Sequence, residues 1–206
     1  MARLFLKGVF MYLDISSNQG VIDWAQVAQN KDINGVILRA TTRNGKLDTR
    51  TKENYESILR NMSDVDEISV YKFSYARDYV SARVECLYCL KELEKANVKF
   101  DYFYLDLEGF DGRDYTKDEA TIVIMAYMHE MMFNGVYSKF RLYYNYNYLK
   151  NIIAPIWREI PTWLARYNNT MGDTLGANIV LWQYTSAGKI DGIKTNVDIS
   201  KEVKSV

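Results

Sequence analysis

In the run Tyr102-Phe103-Tyr104-Leu105-Asp106-Leu107-Glu108-Gly109, a strand period of two places Asp106 and Glu108 on one face, close to the strand's end. Other apolar runs of strand length fall at residues 9–15, 36–40, 68–75, 141–145, 162–165, 179–184 and 197–199, so that eight in all suggest a barrel. Residues 49–60, 80–96 and 117–133 between them have helical composition. Asp23-Trp24-Ala25-Gln26 reads as a helix start, with Asp23 accepting from first-turn amides and Gln26 reaching back as in a capping box. Strands alternating with helices imply parallel pairing. After Arg141 the intervening segments shorten, which predicts a less regular second half with some antiparallel strands closing the barrel.

The chain has 206 residues with 48% hydrophobic content, enough for one substantial core, and reads as a single domain over residues 1–206. Twenty-six basic residues balance twenty-six acidic ones. Such a fold lacks the net field that steers proteins onto nucleic acid or anionic membranes, and neither partner is expected. The stretch from Met1 to Leu13 has two early cations and an apolar run, but Asp14 interrupts it and no small-residue cleavage site follows, so no signal peptide is expected. No apolar run approaches the roughly 20 residues needed to span a bilayer.

Cys86 and Cys89 lie inside a helical pattern, and with one histidine in the chain there is no second ligand pair for zinc. Buried reduced thiols are the expectation. His129 sits in the apolar helix without a partner cysteine or histidine and reads as a core or surface residue. No phosphate loop or metal-ligand cluster stands out beyond the acids, so neither cofactor nor metal is expected.

Two carboxylates held close together repel, which raises one pKa; Glu108 can then stay protonated as a proton donor while Asp106 stays ionised. Glycoside hydrolysis needs that combination at neutral pH. The plainer alternative is that both acids cap the following loop or pair with Arg113. Asp14 and Asp198 also sit in strands otherwise too apolar to welcome an acid. Parallel barrels carry their chemistry at the C-terminal rim, where acids from several strand ends can converge.

Several separated motifs then resemble the family 25 glycoside hydrolases, the Chalaropsis-type lysozymes of phage endolysins and secreted muramidases. They are Tyr12-Leu13-Asp14-Ile15-Ser16-Ser17-Asn18-Gln19-Gly20, Gly35-Val36-Ile37-Leu38-Arg39-Ala40-Thr41, Val70-Tyr71-Lys72-Phe73-Ser74-Tyr75-Ala76, Asp106-Leu107-Glu108, Trp163-Leu164-Ala165-Arg166-Tyr167, Leu181-Trp182-Gln183-Tyr184-Thr185-Ser186 and Asn196-Val197-Asp198-Ile199. The resemblance runs from about Gly8 to Lys201. It implies a flattened, irregular TIM-like barrel with a groove at its C-terminal end and acids at the bottom. Position by position, it makes Glu108 the acid that protonates the glycosidic oxygen, with Asp106, Asp14 and Asp198 as carboxylate companions. The bond cut would be the β-1,4 link from N-acetylmuramic acid to N-acetylglucosamine in peptidoglycan, with retention. The second step would use either a carboxylate nucleophile or, the preferred reading, the sugar's acetamido group oriented by Asp106. A phage or prophage lysin, made in the cytoplasm and released at lysis, is the setting it suggests.

Thr42 and Arg43 stand where many members have an acid and a glycine, Thr51 stands where a Phe is frequent, and residues 143–148 depart from the usual Tyr-Ser ending. These changes touch the groove walls. Seventeen tyrosines and four tryptophans offer amphipathic platforms for sugar rings. Tyr75, Tyr144 and Trp163 are placed in the groove because each falls near a strand end, and Gln183 is expected to donate to a sugar oxygen. A glycan-binding barrel without turnover and a glycosidase of chitin-like chains are the competing readings.

Overall fold

The computed structural model describes residues 10–203. The signal-like start of the chain through Val9, and the resemblance at Gly8, lie outside them. Eight strands close into a barrel in chain order: β1 (Met11–Ile15), β2 (Ile33–Arg39), β3 (Glu67–Phe73), β4 (Phe103–Asp106), β5 (Phe140–Asn145), β6 (Thr162–Ala165), β7 (Ile179–Gly188) and β8 (Val197–Glu202). Strands β1 to β7 pair in parallel, and β8 runs antiparallel to both β7 and β1. Connection length accounts for the exception. A parallel crossover takes a dozen or more residues, whereas only residues 189–196 separate β7 from β8, which suits a hairpin.

The helices are α1 (Trp24–Val27), α2 (Thr51–Asn61), α3 (Tyr79–Lys95), α4 (Lys117–Phe133) and α5 (Tyr146–Asn151). The three long ones cover the first half, and no α-helix separates β6 from β7, so the second half is irregular as the shortening segments suggest. Helix α4 starts with a full capping box between Thr116 and Glu119. At α1 only half of the expected box forms. Asp23 accepts from the Gln26 amide at 3.1 Å, but its own N–H already donates to the Gly192 carbonyl at 3.0 Å, so Gln26 has nothing to reach back for.

The pleat sorts the strands into two apolar layers. Tyr12, Ile37, Tyr104, Tyr143, Trp163 and Leu181 fill the barrel interior. Leu13, Val36, Leu38, Val70, Leu105, Leu142 and Leu164 point outward into the layer shared with the helices. Strands packed on both faces read as continuous apolar runs, which is why β4 and β6 are buried throughout. Strand β3 stops at Phe73 rather than Tyr75 because the Glu85 carboxylate on α3 takes the Tyr75 amide at 3.1 Å and the Ser74 hydroxyl at 2.8 Å. No helix among the described residues is long and apolar enough to cross a membrane.

Cys86 and Cys89 are free and buried on α3, and burial pushes the Cys89 thiol up to about 12. A thiolate is the reactive form, so neither cysteine should react with a thiol-specific reagent in the native protein, and both should react after denaturation. Fast native labelling would contradict this burial. Inside the barrel, a Cβ on Gly35 would lie 2.3 Å from Cδ1 of the Tyr12 ring. Gly35→Ala should therefore overpack the interior and cost roughly 1–3 kcal/mol, read as a lower urea midpoint at unchanged slope.

Candidate active site

Inward-facing positions at the C-terminal rim of the strands line a cleft of about 290 Å³. Its wall is built from Asp14, Arg39, Thr41, Thr42, Arg43, Tyr71, Phe73, Tyr75, Asp106, Glu108, Tyr143, Trp163, Tyr167 and Asp198. All four acids singled out in the sequence thus meet in one place. Tyr12 and Asp14 share a face of β1, and Tyr104 and Asp106 share a face of β4, so the strands that fill the barrel lower down deliver acids at its mouth. Glu108 lies two residues past Asp106, just beyond the end of β4. Asp198 stands directly across from Asp14 in the antiparallel β1–β8 pair. Opposite residues in such a ladder have Cβ atoms roughly 4.5–5.5 Å apart, close enough for strong repulsion between like charges.

All four carboxyl groups are held above their ordinary range. For Asp106, burial is the main cause, with Glu108 and Asp14 adding repulsion and Lys72 opposing it. For Asp14 it is burial again, then Asp198. Burial also leads for Glu108, followed by Asp198, and for Asp198 itself. The simple division expected from the sequence, a protonated Glu108 beside an ionised Asp106, is therefore modified. Asp106 is 5% exposed and is raised more strongly than Glu108, so burial favours a proton on Asp106 as well. Neither acid pairs with Arg113, whose guanidinium donates to Glu119 at 2.6 Å.

The nearby cations are committed elsewhere. Arg39 lies on β2 in the cleft, but its Nε donates to the buried Asp48 carboxylate at 2.6 Å and its Nη2 to the Ser17 hydroxyl at 2.8 Å. Lys72 points outward from β3, is 1% exposed, and pairs with Glu85 at 2.8 Å. Asp106 Oδ1 is buried with no hydrogen-bond partner. A bare acceptor is costlier to bury when it carries charge, which adds to the push toward the protonated form of this carboxyl.

Of the residues expected to bind sugar, Tyr75 lines the cleft wall and is half-buried there. Its ring lies 5.4 Å from that of Phe110 and beneath the Arg43 guanidinium, 4.9 Å above the centroid. Arg43 in turn forms a two-pronged ion pair with Asp111. Trp163 reaches the cleft floor but is 1% exposed, with its Nε1 donating to the Ser200 hydroxyl at 2.8 Å and its ring 4.4 Å from that of Tyr143. It supports the floor rather than offering a platform. Tyr144 is misplaced by the sequence reading. It points outward into the helix layer, and Tyr143, one residue earlier and of the opposite parity, takes the cleft position. Gln183 is fully buried behind Tyr143 and Tyr167, whose hydroxyls lie 2.9 and 2.8 Å from its Oε1, so it does not reach a sugar.

Arg39, Tyr71, Phe73, Tyr143 and Tyr167 are cleft residues that the sequence reading left without a role. Parity relative to the acids marks the strand-borne ones; Tyr167 comes from the loop after β6, where no period applies. A larger hollow of about 670 Å³ lies beside the β7–β8 hairpin, but its charged residues, Asp23, Lys189, Asp191 and Lys194, are all exposed. Among the described residues no group of histidine, cysteine and acid side chains is arranged to hold a metal ion.

A barrel mouth that gathers four carboxyl groups with raised proton affinity, in a cleft walled by aromatic rings, is the kind of site that acid-catalysed glycoside hydrolysis calls for. Residues 13–193 match Glycosyl hydrolases family 25, and the chain belongs to that family. No curated protein sequence matches it. Among solved structures, it is similar to the modular autolysin LytC of Streptococcus pneumoniae, with a TM-score of 0.84 and 25% identity over 96% of this chain and 47% of that one. It thus spans about half the length of LytC. The spore cortex lytic enzyme SleM of Clostridium perfringens shares the fold at a TM-score of 0.79 and 19% identity, over 96% of this chain and 68% of that one. The bacterial lysozyme from Streptomyces coelicolor does so at 0.71 and 16%, over 97% and 94%.

The raised acids also set how stability depends on pH. A carboxyl whose folded-state pKa lies above its unfolded value near 4 stabilises the fold while protonated, and that contribution is lost as pH rises through the folded pKa. Asp106→Asn removes one such burden. The variant should melt above wild type at pH 7, and the gap should close below about pH 4, as read by calorimetry across that range. A lower melting temperature at pH 7 would show that the ionised Asp106 is a net stabiliser.

Proposed function

We propose that the chain is a lysozyme of the N-acetylmuramidase type that hydrolyses the β-1,4 bond from N-acetylmuramic acid to N-acetylglucosamine in bacterial peptidoglycan, with retention. The observation that carries this reading is the partly exposed Glu108 carboxyl at the cleft floor, held toward its protonated form among three further acids. Family membership supports it, and so does the likeness of fold to LytC, known in complex with a synthetic peptidoglycan ligand.

Glu108 gives its proton to the glycosidic oxygen as the bond to C1 breaks. The acetamido oxygen of the same sugar closes onto C1, and the positive charge that develops on the acetamido nitrogen is met by the Asp106 carboxyl, which lines the cleft. Glu108, now ionised, takes a proton from the water that opens the ring, which regenerates the acid and leaves the anomeric configuration retained. Asp14 and Asp198 supply negative potential beneath the oxocarbenium-like transition state. In its biological setting we read the chain as a phage or prophage endolysin that meets the wall at lysis.

Loss of turbidity from purified peptidoglycan, followed by mass spectrometry of the fragments, tests the assignment. Wild type should release fragments with muramic acid at the new reducing end. Glu108→Gln should fold normally and lose at least about 100-fold in rate, the scale of a positioned general acid. Near-full activity in that variant would remove Glu108 from its role. Release from chitin oligomers but not from wall material would move the substrate to chitin-like chains.

A further inference from the structure

Gln183 occupies the inward face of β7 with no exposure to solvent. Its Oε1 lies 2.9 Å from the Tyr143 hydroxyl and 2.8 Å from that of Tyr167, and its Nε2 is buried without a partner. The same two phenols line the cleft with the acids, Tyr143 beside Glu108 and Tyr167 beside Asp198, although both hydroxyls are turned to Gln183. A phenol has one proton. With Oε1 toward the rings, each hydroxyl proton is claimed by both the amide oxygen and a carboxylate, while two amide donors are stranded.

An amide's oxygen and nitrogen have nearly the same shape, and a half-turn about the terminal bond exchanges them. The exchanged amide gives one N–H to each phenol oxygen. Two donors then meet two acceptors, and both phenol protons are free for the acids. We propose that Gln183 is a positioning residue whose amide N–H groups grip the Tyr143 and Tyr167 oxygens and so aim the two hydroxyl protons at Glu108 and Asp198. The only cost is a bare amide oxygen in place of a bare NH₂.

A hydroxyl donating to a carboxylate favours its charged form, which opposes the upward push of burial. Glu108 faces Asp106, Asp198, Asp14, Tyr143, Tyr148 and Tyr167, and the two arginines that line the cleft, Arg39 and Arg43, are already held by Asp48 and Asp111. The two phenols are therefore the groups on hand to temper the acid, and Gln183 sets where they point. The effect on rate rests on the proposed role of Glu108 as proton donor; the hydrogen-bond arrangement does not.

Gln183→Met keeps the length of the side chain and removes both polar atoms. Followed by carboxyl carbon NMR, the Glu108 titration should move up by about one pH unit in that variant, the scale of one hydrogen bond to a charged group. The alkaline limb of the hydrolysis profile should move with it, and kcat should fall more than KM changes. Tyr143→Phe should reproduce the Glu108 shift, and Tyr167→Phe should leave it smaller. An unchanged Glu108 titration in a folded Gln183→Met protein overturns the proposal and leaves Gln183 a packing residue. If the variant does not fold, neutron diffraction of wild type decides: deuterons on the amide atom facing the phenols support the proposal, and phenol deuterons pointing at Gln183 overturn it. A wild type without turnover on any glycan would sink the muramidase reading while the titration and the deuteron positions still settle this one.

Discussion

A closed barrel has one inside, and the pleat of each strand sends every second side chain into it. The constraint is strict, because a shift of one residue would exchange the interior set for the set that packs against the helices. Tyr12, Tyr104, Trp163 and Leu181 use the interior for close packing, and the open C-terminal end is where acids of the same parity gather. Asp14, Asp106 and Asp198 fall on that parity at that end, and the antiparallel entry of β8 puts Asp198 opposite Asp14. The acid cluster is thus a by-product of how the barrel closes: the short β7–β8 connection forces β8 to run backwards, so its N-terminal end, rather than its C-terminal end, meets the active rim.

Gathering four acids costs free energy, and the structure does not cancel that cost locally. Arg39 enters the cleft already bound to Asp48, and Lys72 approaches Asp106 from behind already bound to Glu85. Had either cation been free, it would have drawn an acid down to an ordinary ionised state and removed the proton that a general acid must keep. Pairing the cations with outer acids keeps their hydrogen-bonding capacity for holding loops. Glu85 shows this plainly, since besides Lys72 it takes the Ser74 hydroxyl, the Tyr75 amide and the Tyr127 hydroxyl, and so fixes the turn that presents Tyr75 to the cleft.

The strands, the long helices and the four acids were legible because each is encoded within about ten neighbouring residues. Apolar runs give the strands, and acids stand out against them. Residues 141–145 show where such reading stops. Proximity to a strand end selected Tyr144, while parity counted from Tyr104 and Asp106 through the parallel register would have selected Tyr143. Gln183 illustrates a different limit. Its motif is distinctive, but whether a polar side chain on a barrel's inner face meets ligand or protein depends on what the next strand and loop place above it, here Tyr143 and Tyr167. The ion pairs Arg39–Asp48, Lys72–Glu85 and Arg43–Asp111 could not be read at all, since each is a choice among many oppositely charged residues made by the fold.

Of the positions expected to alter the groove walls, Thr42 and Arg43 line the cleft, whereas Thr51 is buried at the start of α2 with its hydroxyl donating to the Arg39 carbonyl and Tyr144 points into the helix layer; the physics of wall and interior differ. Arg43 and Asp111 are both exposed, and an exposed ion pair contributes little, so this part of the wall can be exchanged or rearranged at little cost to the fold. Breaking a buried pair such as Lys72–Glu85 by removing one partner costs about 3–5 kcal/mol. Sequence change in the groove therefore meets little resistance at Thr42 and Arg43 and strong resistance at Lys72, Glu85, Asp48 and Arg39. A chain under selection for a new wall chemistry, with the same bond to break, would be expected to vary where this one does.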